Sequence, residues 1–304
     1  MLFRFVYSQE TATFARAKIT NHMKKSLLLL LCTALLAACE KVDFSQYEDS
    51  DSNVVLQLSC YERVPFTSRA KKDVTELCSR INIAIFKGDT KVKTIAQKEG
   101  DNGFGTIAMT LAEGTYDLVV IAHNGEGTAT ISNVEKVTFA NNHITDTFYY
   151  YGQLEVTSEK QQVSLTLTRP VAAFRLVLND ALPNEVKTLR FYYTGGSSTF
   201  SPKAGFGNVN SRQTENLAVS SGQKTFEVFT FPHSSDGLLK VTVSALDASD
   251  EAIAERVFEN VPVTPDEVTR YTGNIFDDGV SEVGNFGMKL QAEAEWAAIN
   301  DYEF

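Results

Sequence analysis

Apolar residues recur at every second position along most of this chain from residue 52 onwards. In the first such stretch, Val54, Leu56, Leu58 and Cys60 occupy alternate positions. This period of two is typical of a half-buried β-strand. The same period predicts strands at residues 81–85, 107–111, 116–122, 163–167, 171–178, 188–193, 225–231, 238–245 and 253–258. Many short strands separated by turn residues favour an all-β fold made of sandwiches.

Helical signals are few. Thr264, Pro265 and Glu267 fit a capping box with proline at the first helical position, which predicts one short helical turn. Residues 292–299 are compatible with a helix or a strand, and we favour a strand. Pro170 interrupts the alternation, and strand patterns adjoin it on both sides without a linker. We therefore expect two sandwich domains, residues 52–168 and 169–304, packed closely end to end.

The N-terminal segment has the parts of a secretory signal, and these start at Met23. Lys24 and Lys25 precede an apolar run and the small residues that lead to Cys39. The stretch from Ser26 to Ala38 has 13 residues, whereas a transmembrane helix needs roughly 20. We therefore expect a signal peptide and not a membrane-spanning helix.

The end of this segment, Leu36-Ala37-Ala38-Cys39, resembles the lipobox of bacterial lipoproteins. The resemblance implies cleavage before Cys39 and lipid on that cysteine, which becomes the new N-terminus. Residues 1–38 would then be an upstream extension plus signal peptide, with the true start at Met23, and residues 39–51 a lipidated tether. The alternative is an ordinary signal peptide that happens to contain a cysteine.

The charge of the chain excludes some partners. Removal of residues 1–38 leaves 23 basic and 37 acidic residues, a net charge of −14. Such a balance argues against nucleic acid and against electrostatic binding to anionic lipid. Attachment to a membrane must therefore come from acyl chains on Cys39, and several chains hold better than one.

Two cysteines, Cys60 and Cys78, remain in the mature chain besides Cys39. An even pair in an oxidising compartment favours a disulfide, which would close a loop of about 19 residues and contribute on the order of 3 kcal/mol. The alternative is two free, buried thiols. We expect no zinc site, because two cysteines without neighbouring histidines provide too few ligands. Between them, residues 61–77 are polar and predict a long loop.

Candidate catalytic chemistry is weak throughout. His123, His143 and His233 lie far apart in sequence without metal-ligand spacing. The stretch 232–237 contains the residue types of a catalytic triad, but adjacent residues cannot form one and Asp-Gly is a hairpin turn signal. Residues 49–60 open like a calcium loop, yet the glycine and the bidentate glutamate of such loops are missing. We expect neither a metal nor another cofactor, and no enzymatic activity.

A run of aromatic residues at positions 148–151 is a candidate binding surface. Tyr149, Tyr150 and Tyr151 on a sandwich surface would stack on sugars or bury against a partner. The ordinary alternative is burial of alternate rings in a strand, with two rings inside and two outside.

Three segments together resemble fimbrillin-like proteins of Gram-negative gut and oral bacteria, from residue 52 to the end of the chain. Residues 111–124 (LAEGTYDLVVIAHN) resemble a strand-turn-strand segment of that family. Residues 165–176 (LTLTRPVAAFRL) resemble its junction between domains, and residues 269–276 (TRYTGNIF) a late strand. The similarity is greatest to fimbrial anchor and minor subunits, which are lipoproteins at the base of the pilus.

This resemblance implies two tandem transthyretin-like Greek-key β-sandwich domains and an outer-membrane lipoprotein at the cell surface. It also implies that the partner is a pilin subunit, bound by β-strand addition at an open groove. Polymerising subunits of the family instead lose an N-terminal strand by cleavage after a basic residue. Four basic residues in the polar loop are candidates for such a cut: Arg63, Arg69, Lys71 and Lys72.

The leading hypothesis is thus a structural pilus protein, either the membrane-anchored base or a minor subunit. The main alternative is a surface glycan-binding lipoprotein that uses the aromatic run as a platform. A weaker alternative is a hydrolase whose site the sequence does not reveal.

Overall fold

The structure, a computed structural model, describes residues 52–62, 70–276 and 298–304. These described residues form one compact unit. The strands are β1 (Val54–Glu62), β2 (Ala70–Asp73), β3 (Arg80–Lys87), β4 (Thr90–Lys98), β5 (Thr106–Met109), β6 (Gly114–His123), β7 (Thr130–Asn133), β8 (Lys136–Thr138), β9 (Thr147–Val156), β10 (Gln161–Leu167), β11 (Ala172–Leu178), β12 (Thr188–Thr194), β13 (Thr199–Ser201), β14 (Phe206–Gly207), β15 (Arg212–Ala218), β16 (Thr225–Thr230), β17 (Gly237–Leu246), β18 (Ala252–Val263), β19 (Glu267–Gly273) and β20 (Ala298–Glu303). A four-residue helix α1 (Val74–Leu77) and a 3₁₀ turn (Ala140–Asn142) complete the elements. The all-β prediction is confirmed.

Two sheets enclose the first core. In one sheet β1 runs parallel to β10 along one edge, while β2 and β5 pair antiparallel with successive parts of its other edge. The second sheet has the order β4-β3-β6-β9 and is antiparallel throughout. The alternate apolar positions of β1 point into the core between these sheets, with Ile81, Ile83 and Ile85 of β3 opposite.

Two further sheets enclose a second core. One has the order β16-β11-β19-β20, in which β11, β19 and β20 are parallel neighbours. The other has the order β15-β12-β17-β18 and is antiparallel. The core between them contains aromatic rings in mutual contact: Phe174 lies 5.4 Å from Phe258 and 5.6 Å from Tyr271, measured between ring centroids.

A third core joins these two assemblies. Ala84 and Phe86, on the face of β3 opposite the first core, pack there with Val171 and Ala173, and the rings of Phe200 and Phe231 stack at 4.9 Å. A small sheet, β14-β13-β8-β7, also combines strands from both sides of Arg169. The first core draws only on residues before 168 and the second only on residues after 171. Because the third core spans that boundary, the division into domains 52–168 and 169–304 stays a proposal.

Two sequence predictions about local structure need correction. The capping-box motif at Thr264–Glu267 forms a tight turn, not a helical turn: the Glu267 amide donates to the Thr264 carbonyl at 3.2 Å, and Asp266 has φ 61°. The polar segment predicted as one long loop contains β2 and α1, and the Asp73 side chain caps α1 by accepting from the Thr75 amide at 2.9 Å. The favoured strand at residues 292–299 is confirmed from Ala298 onwards, and its earlier part lies outside the described residues.

Candidate functional site

The side of the first sandwich between β9 and β10 is open. These strands end their respective sheets, and among the described residues no strand pairs with the outer edge of either. They meet only past the end of β10, where the amides of Tyr149 and Thr168 each donate to the carbonyl of the other, at 2.8 and 2.9 Å. The two sheets are therefore closed at this point and separate along the rest of β9 and β10. We call this feature the open edge.

The outward backbone groups of β10 can be assigned residue by residue. The Gln161 amide points to β1, because it donates to the Asn53 carbonyl at 2.8 Å. Peptide groups alternate in direction along a strand. The amides and carbonyls of Gln162, Ser164 and Thr166 therefore point away from β1. The amide and carbonyl of Thr168 point the same way, and they pair with β9. Three residues of β10 thus present amides and carbonyls at the open edge.

The composition of β10 favours pairing with another strand. It has the sequence QQVSLTL, without a charged residue. By contrast β4, which ends the other sheet of this sandwich on its opposite side, carries Lys91, Lys93 and Lys98. Lysines on an edge strand discourage pairing with another chain, whereas an uncharged edge is a template for it. Leu165 and Leu167 anchor β10 in the core.

The tyrosines predicted as a binding surface lie in β9 and pack on both of its faces. Phe148 and Tyr150 contact the first core, while Tyr149 and Tyr151 contact the third core. The Tyr149 ring meets Phe200 edge to face at 4.7 Å between centroids. The rings thus alternate between the two faces of β9, and each face packs against a core.

The same three tyrosines line a cavity of about 320 Å³ at the closed end of the open edge. Thr166 of β10 and Thr168, just past its end, form one wall, and residues 202–205, in the turn between β13 and β14, form the opposite wall. Gly205 has φ +77°, and a Cβ there would lie 2.9 Å from the Tyr149 hydroxyl oxygen. Glycine therefore permits both the turn and the close approach of the tyrosine.

The cavity presents neutral hydroxyl groups and one ammonium group. Burial raises the pKa of Tyr149, and burial together with the Asp117 carboxylate raises the pKa of Tyr151. The Tyr151 hydroxyl donates to Asp117 Oδ1 at 3.4 Å, and Lys203 Nζ donates to Glu135 Oε1 at 3.2 Å. Such a lining suits hydrogen bonding and ring stacking with a polar, uncharged ligand.

The other predicted site residues are only partly within the described chain. Cys60 and Cys78 are free thiols in the first core. Lys71 and Lys72 lie in β2, where Lys72 pairs with Cys60 of β1. Cys39, Arg63 and Arg69 lie outside the described residues. Within those residues, no group of three His, Cys, Asp or Glu side chains could hold a metal ion.

Sequence reasoning missed an ionic cluster beside the open edge. The Arg169 side chain is 4% exposed and donates to Asp146 Oδ1 at 2.7 Å and to Asp266 Oδ1 at 2.8 Å. Its guanidinium also lies 4.5 Å from the centroid of the Phe148 ring. Asp146 and Asp266 are 23 and 97 positions away in sequence, so no local motif connects the three residues.

Comparison with protein families identifies the chain. The family model "Fimbrillin-A associated anchor proteins Mfa1 and Mfa2" matches residues 47–276. The chain belongs to this family. Members are structural fimbrial anchor proteins, so this anchor-family protein has a structural role in a pilus and a place in the cell envelope. The sequence-based recognition is confirmed.

Solved structures similar to this anchor-family protein include the fimbrial anchor protein Mfa2 from Porphyromonas gingivalis, with 10% identity and a TM-score of 0.35 over 67% of this chain and 80% of that one. A fimbrial assembly protein from Parabacteroides distasonis has 13% identity and a TM-score of 0.37 over 72% and 90% of the respective chains. A search of curated proteins found no match. No helix within the described residues has the length and apolar character to cross a membrane.

Proposed function

We propose that this protein is the membrane-anchored base, or a minor subunit, of a cell-surface pilus, and that it binds the neighbouring pilin by strand addition. The observation that supports this most is the family match together with an uncharged strand, β10, whose outer edge is unpaired among the described residues. Both sequence expectations, a pilin partner and an open groove, are combined in this proposal.

Strand addition at the open edge follows from backbone hydrogen bonding. A segment of the pilin that pairs with β10 would satisfy the outward amides and carbonyls of Gln162, Ser164 and Thr166. Its inward side chains would lie between the two sheets, against Tyr150 and Val163, which are partly buried at the first core. The main-chain ladder would supply affinity, and this apolar gap would select the side chains that fit.

Membrane attachment in this proposal comes from lipid on Cys39, as in outer-membrane lipoproteins exposed at the cell surface. The net charge of −14 for residues 39–304 supports lipid over electrostatic attachment. A Cys39→Ser variant should leave the membrane fraction, and mass spectrometry of the mature N-terminus should find acyl chains only in the wild type.

The experiment for strand addition is a mild-detergent pull-down from native membranes, with mass spectrometry of every co-purifying chain. Ser164→Pro removes one outward amide and leaves pairing with β1 intact, because proline is tolerated on an edge strand when its N–H faced solvent. Ser164→Ala is the matched control, since it keeps the amide. We expect the proline variant to lose pilin-sized partners and the alanine variant to keep them.

Equal recovery of pilin-sized partners by both variants would contradict strand addition at β10. A lipidated wild-type chain recovered without any pilin-sized partner would contradict the pilus role as well. Circular dichroism of the two variants checks that the sandwich is intact in each.

The tyrosine-lined cavity favours a second candidate function, binding of a surface glycan. Its phenol rings and neutral hydroxyl groups match the apolar faces and hydroxyl groups of a sugar. Binding to a polysaccharide that Tyr150→Ala or Tyr151→Ala abolishes would support this function. Tyr192→Ala, at an exposed tyrosine of β12, is the control and should bind normally.

A further inference from the structure

Cys60 and Cys78 both lie in the first core. Cys60 is the last core-facing residue of β1 that the structure describes and is fully buried, and Cys78 follows α1 directly with 4% exposure. Both side chains belong to the same buried cluster, which also contains Leu58 of β1 and Val74 of α1. The Cys78 amide ends α1 by donating to the Val74 carbonyl at 2.9 Å, which holds the backbone of Cys78 at the end of the helix.

We propose that these two thiols are oxidised to a disulfide that ties β1 to the rest of the first sandwich. The oxidant is a disulfide of a dithiol oxidoreductase, or a small-molecule disulfide, in the compartment beyond the cytoplasmic membrane. One cysteine thiolate attacks that disulfide and forms a mixed disulfide. The other thiolate then attacks the mixed disulfide. The Cys60–Cys78 bond forms, the S–S bond of the oxidant is broken, and the oxidant leaves as two thiols that have gained the two electrons and two protons.

Burial determines when this bond can form. In the folded chain both sulfurs are shielded from solvent, and a hydrogen bond to Cys60 together with burial raises the pKa of the Cys78 thiol. Because the thiolate is the reactive species, oxidation must occur before β1 docks in its sheet. The finished disulfide is then enclosed by the core, which protects it from reductants.

The disulfide would change what a protease can achieve. β1 lies inside its sheet, between β10 on one side and β2 and β5 on the other. A cut at Arg63, Arg69, Lys71 or Lys72 breaks the backbone between the two cysteines, yet the disulfide keeps β1 attached to the body. β1 therefore keeps its place after such a cut. If the protein binds pilin by strand addition, as proposed above, the incoming strand must then use a free edge such as β10.

A peptide map of the full chain, secreted by its own signal, tests the disulfide. Trypsin digestion under denaturing, non-reducing conditions after alkylation should give residues 42–63 linked to residues 73–80, with two hydrogens fewer than the two peptides together. Reduction should separate them. Recovery of both peptides singly and alkylated, without reduction, would overturn the proposal, and a Cys78→Ser variant shows the migration of the unlinked peptides.

Limited proteolysis tests the consequence. The folded protein is cut by trypsin between Cys60 and Cys78 and then run on a denaturing gel. The fragment that contains β1 should stay attached without reductant, whereas reductant or the Cys60→Ser, Cys78→Ser double variant should release it. Release from the wild type without reductant would overturn the proposal. Neither experiment involves pilin. The disulfide proposal can therefore fail while the Ser164→Pro pull-down supports strand addition, and the pull-down can fail while the disulfide is found.

Discussion

The cluster around Arg169 provides the most specific stability prediction. Arg169→Met keeps most of the length of the side chain and removes its charge. Two carboxylates, those of Asp146 and Asp266, then lose their cation, and the Phe148 ring loses its cation–π partner. Asp146 precedes β9 and Asp266 lies in the turn before β19, so the change affects contacts on both sides of the chain junction.

The expected loss can be worked out from exposure. Removing one partner of a buried ion pair costs about 3–5 kcal/mol, because the other charge stays buried without compensation. Here Arg169 is 4% exposed but both carboxylates are 25% exposed, so they recover part of their hydration and the lower end applies. The lost cation–π contact adds about 0.5–1 kcal/mol. We expect the free energy of unfolding to fall by about 3–4 kcal/mol.

Urea denaturation followed by circular dichroism measures this loss, and two spectroscopic probes should give coincident transitions. Lys240→Met is the matched control, because the Lys240–Glu259 pair is more than half exposed on both sides and should contribute about 1 kcal/mol or less. A triple variant with Arg169→Met, Asp146→Asn and Asp266→Asn should be more stable than Arg169→Met alone, because the two carboxylates are then no longer charged. If Arg169→Met changed stability no more than Lys240→Met, the cluster would not hold the junction.

Three further predictions concern two histidines and a pair of glycines. Burial lowers the pKa of His123 to about 4, so the neutral ring stabilises the fold fully above pH 6.5 and this stabilisation is lost as the pH falls towards 4. A titration of the free energy of unfolding with acid should show a loss of about 3 kcal/mol, and the His123→Gln variant should not show it. The hydrogen bond to Glu215 raises the pKa of His143, so this pair should stabilise the protein fully below pH 6.5 and less as the pH rises through the raised value, a dependence that His143→Gln should abolish in the same titration. Gly195 has φ +96° and lies where a Cβ would be 2.2 Å from a backbone carbonyl oxygen, whereas Gly222 has φ +76° in open space. Gly222→Ala should therefore lower the free energy of unfolding by about 1 kcal/mol, and Gly195→Ala should lower it clearly more. Equal melting temperatures for the two variants would contradict this.

The strands were predictable because they bury one or both faces in a regular way. β1 follows the period of two expected for one buried face. β3 has a longer apolar run, because Ile83 and Ile85 face the first core while Ala84 and Phe86 face the third. Such a run predicts a strand buried on both sides, but it does not indicate which surface covers the second face.

The turn at Thr264–Glu267 shows why a local motif was not sufficient. Its residue types fit a capping box, yet the Asp266 amide donates to the Val171 carbonyl at 2.8 Å, and its carboxylate binds Arg169. Both partners come from a distant part of the sequence. These long-range contacts hold Asp266 in a left-handed conformation, which forms a turn and prevents a helix from starting.

The candidate site was predictable only in part, for a related reason. The aromatic run at 149–151 is visible in the sequence, but the turn that completes the cavity is more than 50 positions away. The absence of charge in QQVSLTL is equally visible. Its meaning depends on β10 being an edge strand. Within the described residues β10 ends its sheet and pairs along its length with β1, which is about 100 positions distant in sequence, so a local pattern cannot show this.

The open edge is held in place at one end by contacts that do not depend on a partner. The Tyr149–Thr168 bridge joins the two sheets, and Arg169, the next residue, is fixed by Asp146 and packs on Phe148 of β9. β9 and β10 therefore diverge from a fixed point before any strand is added. Preorganisation of this kind lowers the ordering cost of binding. For this reason Arg169→Met should weaken capture of pilin even under conditions where the variant is fully folded, whereas Lys240→Met should not.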